Sequence, residues 1–296
     1  MIKSTTKEIA ALSRLFSSAV VQELARKGRS ALFSRLLQQS GLSTAAVPGA
    51  KVAEAFEIAF DTLKRVGLRD EYVYRSAISH KILMGTHSLR TASMLSEFRA
   101  GSARADLVIL NGTATVYEIK SERDSLTRLA TQVSEYRKVF AKVNVIASEN
   151  HIDRVMASVP EEVGILCLSR RYSITTEREA CHSFEAICPV TVLSSLRSNE
   201  ATAVAEAMGY EVPSVPNTLL FGALGEIFQS MHPEQLHREM VNVLKRSRTL
   251  MPLNDLIDRL PDSLHAAVLS IPIRRADHGR LVDSMSIPLS VAMAWS

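Results

Sequence analysis

Asp106, Glu118 and Lys120 are the residues of this chain whose types and spacing could do chemistry. All three stand in apolar, strand-like runs: Ala105-Asp106-Leu107-Val108-Ile109-Leu110, then Asn111-Gly112, then Ala114-Thr115-Val116-Tyr117-Glu118-Ile119-Lys120. Asn-Gly between two such runs predicts a tight hairpin, because a primed two-residue turn needs positive φ at both central positions. A charge in an apolar strand is costly unless it is paired or holds a metal. Side chains alternate along a strand, so Glu118 and Lys120 share a face. An ideal two-residue turn pairs Leu110 with Thr113 and sets Asp106 opposite Tyr117, one residue short of Glu118. A bulge or a one-residue shift would bring the two carboxylates together. Carboxylates that close call for a cation between them. Mg²⁺ or Mn²⁺ takes such oxygen ligands together with waters and phosphate oxygens, and the backbone carbonyl of Ile119 offers one more. Lys120 could then orient an attacking water or neutralise charge developing on a phosphate. The competing reading makes Lys120 a strand-end ion-pair partner of Glu118 or Glu122.

The elements that must position these residues follow from periodicity. Residues 93–99, 104–110 and 114–120 read as three successive strands. A helix over 125–142, a strand over 143–147, a helix over 150–158 and a strand over 163–168 come next, with 170–174 as one more strand or an edge. Upstream, Thr5 and Glu8 form a capping box ahead of a helical run through Leu24. A second run covers 31–39, 44–51 is a linker turning at Pro48-Gly49, and 52–66 is a helix stopped by Gly67. Asp70 caps a further helix that Gly85 stops. Beyond Val190 the pattern is helical and punctuated by proline. Antiparallel strands followed by strand-helix-strand crossovers imply an α/β (α+β) fold, a mixed central sheet flanked by helices. The expected division is an N-terminal helical region (1–66), a core carrying the hairpin (67–175) and a mostly helical C-terminal lobe (176–296).

With 296 residues, 46% of them hydrophobic and 22% charged, the chain has the balance of a globular protein and not of a disordered one. A formal charge of +4 suits an anionic partner without demanding one. Arg26, Lys27, Arg29 and Arg35 cluster as either a phosphate-facing patch or a solvated helix face. The three cysteines include no CxxC pair, which argues against a disulfide framework and for a reducing compartment. Cys181-His182 near Cys188 lacks a fourth zinc ligand at a usual spacing. The first residues lack a signal-peptide core, and no run reaches the roughly 18 apolar residues that span a bilayer. The expectation is a cytoplasmic protein with no membrane partner.

Asp106 followed by Glu118-Ile119-Lys120 resembles the PD-(D/E)XK motif of the restriction-endonuclease-like nuclease superfamily, with Ala105 where the motif has Pro. Gln132-Val133-Ser134-Glu135-Tyr136 resembles the QxxxY element of RecB-type branches, and residues four apart share a helix face. The resemblance spans about 70–168, and in length and spacing the chain is similar to an uncharacterised bacterial branch. It implies a Mg²⁺- or Mn²⁺-dependent nuclease acting on nucleic acid, DNA in the first instance. Asp106, Glu118 and the Ile119 carbonyl would hold the metal, Lys120 would position the attacking water, and Gln132 and Tyr136 would orient substrate or water. It also implies one more acidic residue from the helix before the strands, where Glu71 stands at the helix start. Glu97 in the first strand is preferred, because a carboxylate inside a strand is costlier than one favoured by a helix N-terminus. Tyr136 also continues the stripe Leu126, Leu129, Val133, Phe140, so a core tyrosine with a solvated hydroxyl is its competing reading. Arg104, Arg123, Arg128, Arg137 and Lys138 could contact phosphates or form surface salt bridges with Glu122, Asp124 and Glu135. The alternative function is a catalytically silent nuclease-fold module that binds nucleic acid or a protein partner. Cutting both strands of a duplex would favour a homodimer. A setting in repair, a mobile element or phage defence would rest on analogy alone.

Overall fold

The computed structural model describes residues 5–42, 49–65 and 69–296. The expected turn at Pro48 and the helix stop at Gly67 lie outside them. A six-stranded sheet runs in chain order: β1 (Ser93–Ala100), β2 (Ala103–Leu110), β3 (Ala114–Lys120), β4 (Lys142–Ser148), β5 (Gly164–Leu168) and β6 (Ile174–Arg178). β1, β2 and β3 form an antiparallel meander, β3, β4 and β5 are parallel, and β6 returns antiparallel to β5. The fold is therefore the expected mixed α+β sheet with helical regions at both ends of the chain. Helices Leu129–Arg137 and Ile152–Ser158 make the two parallel crossovers, which a hairpin cannot make. Every residue of β3 is buried, as suits a strand in the middle of a sheet covered on both sides.

Two boundaries differ from the periodicity. The helix expected over 125–142 is Leu129–Arg137, because residue 142 already belongs to β4 and 121–128 form a loop. In that loop the Ser121 amide and hydroxyl donate to Asp124 Oδ2 at 2.8 and 2.7 Å, a local alternative to a helical start. The last strand begins at Ile174 because Tyr172, at φ +60°, turns the chain before it.

Packing divides the chain into two compact units, Met1–His80 with Met251–Ser296, and Lys81–Leu250. The sheet and the helices Pro189–Ser195, Ser198–Ala207, Asn217–Gln229 and Pro233–Ser247 thus share one unit. Its core joins Leu95, Val108, Val116 and Val145 of the sheet to Leu129, Val133, Val192, Val204, Leu224 and Met240 of the helices. In the other unit the capping box forms as expected, with Glu8 accepting from the Thr5 amide at 2.7 Å. Phe16 and Phe33 lie against Phe56, with ring centroids 5.6 and 5.1 Å away. Residues 251–296 close this unit. The Val52 amide donates to the Ile287 carbonyl at 3.0 Å, the Leu289 amide to the Ala50 carbonyl at 2.7 Å, and Ser34 Oγ to the Met293 carbonyl at 2.7 Å. Among the described residues no helix is long and apolar enough to cross a membrane.

Candidate active site

The β2–β3 register pairs Leu110 with Ala114, Val108 with Val116 and Leu107 with Tyr117. The connection is therefore Asn111-Gly112-Thr113, with Gly112 at φ +102°, and not the two-residue turn that Asn-Gly predicts. Asn111 donates its amide to the Thr113 carbonyl at 3.1 Å and closes the loop. The shift of one residue sets Asp106 opposite Glu118. The ladder stops at Leu107 and Tyr117, and Asp106 Oδ2 then accepts the Ile119 amide at 2.7 Å. A side chain has taken the place of a backbone rung.

The β1–β2 pair is interrupted at the same level. Ser96 pairs with Leu107 and Phe98 with Ala105, but Glu97 and Asp106 between them share no rung. Glu97 has φ +53°, a left-handed conformation that is strained for a residue with a Cβ. That kink resets the alternation, so Leu95 and Phe98 both enter the core, as do Ala105 and Val108. Glu97 is exposed and Asp106 half-buried, and a carboxylate oxygen of each lies within 4.8 Å of the other. Glu71 belongs to the other unit, where it is exposed and 2.6 Å from the Arg75 guanidinium.

Glu118 and Lys120 are buried at 1% and 8% exposure. Lys120 Nζ donates to Glu118 Oε1 at 2.6 Å and to Gln132 Oε1 at 3.1 Å. The Tyr136 hydroxyl lies 2.6 Å from Glu118 Oε2 and 2.8 Å from the Arg104 carbonyl, and Gln132 Nε2 reaches it at 3.5 Å. Four side chains thus close a circuit of hydrogen bonds that ties the end of β3 to helix Leu129–Arg137. The two readings of Tyr136 merge: the ring is core, yet its hydroxyl is buried on Glu118 and not solvated. Burial, and then the charge of Glu118, push its phenol well above the ordinary value, so it stays a proton donor. Ile119 contributes its amide to Asp106, and any metal ligand from it would be its carbonyl.

The surrounding cations separate into two groups. Arg137 lies 3.6 Å from Glu162 and Lys138 lies 2.5 Å from Glu135, which are ordinary surface pairs. Glu135 also accepts the Ser102 amide at 3.0 Å, anchoring the β1–β2 turn to the helix. The Lys138 and Ser102 hydrogen bonds hold its carboxyl below the usual carboxylate range. Gly101 sits in that turn at φ +57°, and a Cβ there would meet Glu135 Oε2 at 1.9 Å. Arg104, Arg123 and Arg128 are exposed and have no acidic partner among the described residues. Arg99, which the sequence reading passed over, stands directly across from Arg104. Its spacing about Gly101, two arginines bracketing a hairpin turn, was the available signal.

The donor set fits a hard divalent cation. Asp106 and Glu97 bring two carboxylates within the span of one ion, and each Glu118 oxygen keeps a lone pair beyond its hydrogen bond. Glu118 and Lys120 also end a strand of the parallel part of the sheet, the side where ligands of such sheets bind.

A family model described as Bacteriophage P4 protein cII matches residues 64–249, a span that holds the whole sheet and the hydrogen-bonded circuit. Protein cII of Enterobacteria phage P4 is 38% identical over 65 residues, 22% of this chain and 25% of that protein. The match thus covers about a quarter of the length of that relative. No solved structure matches the chain.

Proposed function

The chain belongs to the bacteriophage P4 protein cII family, and from the arrangement at the end of β3 we propose that it is a metal-dependent nuclease of the PD-(D/E)XK type, hydrolysing phosphodiester bonds in DNA. The observation that carries this reading is the convergence of Glu118, Lys120, Gln132 and Tyr136 in one hydrogen-bonded circuit beside Asp106. Asp106, Glu118, the Ile119 carbonyl and Glu97 would hold Mg²⁺ or Mn²⁺. When bound, the cation supplies positive charge that neutralises the phosphate and makes a water more acidic. Lys120 Nζ carries three protons, of which Glu118 and Gln132 accept two, so the third is directed to a water or a phosphate oxygen. Gln132 fixes that ammonium from its second side. Tyr136 keeps its proton and holds Glu118, which makes it a positioning residue and not one that reaches substrate.

One observation favours a second reading. Both oxygens of Glu118 already accept hydrogen bonds from within the chain, as they would in a silent module that binds nucleic acid or a protein partner. Cleavage of plasmid and single-stranded DNA with Mg²⁺ or Mn²⁺ tests the first. Wild type should cut, and Asp106→Ala and Lys120→Ala should each lose about 100-fold or more. The same background in all three proteins over several substrates would sink the catalytic reading. Calorimetric titration with Mn²⁺ separates the second, since a silent module should bind nucleic acid without needing Asp106 or a cation.

A further inference from the structure

Two pairs of arginines stand close in the chain to the carboxylates, Arg99 and Arg104 in the β1–β2 hairpin and Arg123 and Arg128 after β3. Arg99 and Arg104 oppose one another directly across β1 and β2, each two positions from Glu97 or Asp106. Their neighbours Phe98, Ala100 and Ala105 enter the core, so alternation turns both guanidinium groups outward, where they are exposed. Like charges at a directly opposed position repel and weaken a strand pair. Arg99 donates Nε to the Gly101 carbonyl at 3.3 Å, and neither arginine has an ion pair among the described residues. The carboxylate that anchors this turn, Glu135, is bound to Lys138 and to the Ser102 amide. Arg123 and Arg128 are likewise exposed, in the loop that follows Lys120. Asp124 beside them is turned to Ser121. Neither of these arginines has an acidic partner among the described residues.

Two exposed basic pairs without ion pairs, both next in the chain to acidic strand residues, are explained by a polyanion laid over them, whose successive charges offset both pairs at once. We infer that Arg99 with Arg104, and Arg123 with Arg128, grip phosphates of a nucleic-acid strand on either side of the bond held at Asp106 and Glu118. Guanidinium suits this role, because its planar fork binds phosphate oxygens two at a time. The inference rests on the proposed hydrolysis at that site.

Equilibrium binding of a fluorescent 20-nucleotide strand and the matching duplex, measured by anisotropy in EDTA from about 25 to 200 mM NaCl, tests it on the full chain. Arg99→Gln with Arg104→Gln, and Arg123→Gln with Arg128→Gln, should each lower the slope of log K against log salt by about 1 to 2. Arg274→Gln with Arg275→Gln, exposed in the other unit, should leave the slope as in wild type. The thermal midpoint of the Arg99/Arg104 variant should equal or exceed that of wild type, since a repulsive pair is removed. Slopes unchanged in both site variants, or no binding by wild type at the lowest salt, overturn the inference. Cleavage by wild type is scored separately. Cleavage with unchanged slopes overturns the grip and leaves the nuclease reading standing. Lowered slopes without any cleavage sink the nuclease reading and leave a nucleic-acid surface.

Discussion

Lys120 is a buried cation whose charge is matched mainly by Glu118, 2.6 Å away. Removing one member of such a pair leaves the other charged in an apolar setting, which costs more than the pair itself is worth. Lys120→Met should therefore destabilise the protein by about 3–5 kcal/mol, while Glu118→Gln combined with Lys120→Met should cost clearly less. Urea unfolding of the three proteins checks this, and a single variant as mild as the double would mean that the pair is not buried. The residue types were legible in the sequence because each was out of place: two acids and a lysine in apolar strands, and a glutamine and tyrosine one helical turn apart. The geometry of Glu97 was not. Its left-handed backbone has no compositional sign at a glutamate, so Glu97 stands out in the sequence by the cost of its charge and not by the kink that sets it against Asp106.

The β1–β2 hairpin is the element that sets the site's outer wall, and its fixed point is Gly101. Any side chain there must adopt a left-handed φ and displace the Glu135 carboxylate that holds the Ser102 amide. Gly101→Ala should lower the unfolding free energy by about 1–3 kcal/mol. Cleavage should fall with it, because Arg104, whose carbonyl meets Tyr136, lies in the same hairpin. Calorimetry with a plasmid assay reads both; a variant as stable and active as wild type would show that the hairpin does not set the site. At this scale the sequence revealed the order of strands and crossovers from alternation alone. It left register open, because Thr113 can serve equally as the first strand residue or the last loop residue. The choice of loop moves Asp106 from Tyr117 to Glu118. The helix after the hairpin was overestimated at both ends, since the local Ser125–Thr127 hydrogen bonds and the first residue of β4 are at polar positions that periodicity does not mark.

The grouping of distant segments into units is the part of the molecule least visible in chain order, since a linear reading assigns neighbours and packing does not. The helices after Pro189 share the sheet's unit, and one device of that joint core is titratable. His237, 2% exposed on helix Pro233–Ser247, accepts the Ala141 amide at Nε2, 3.4 Å away. Burial, with a smaller push from His182, lowers its pKa from 6.5 to about 4. The unfolded chain therefore takes up the proton first as pH falls. The stability His237 confers is complete above pH 6.5 and is lost as pH drops toward 4, a total of about 3 kcal/mol. Stability measured at pH 7 and 4.5 should fall by less in His237→Gln than in wild type, and equal falls would assign the acid sensitivity elsewhere. The closure of the other unit by residues 251–296 bears on synthesis. At ribosomal rates of about 5–20 residues per second, roughly 10–30 s separate residue 80 from residue 251. The whole sheet unit is available to fold within that interval, while Phe33 still awaits Trp295, whose ring centroid ends 5.8 Å from its own. The helices before residue 80 thus complete their packing only after the whole sheet unit has been synthesised.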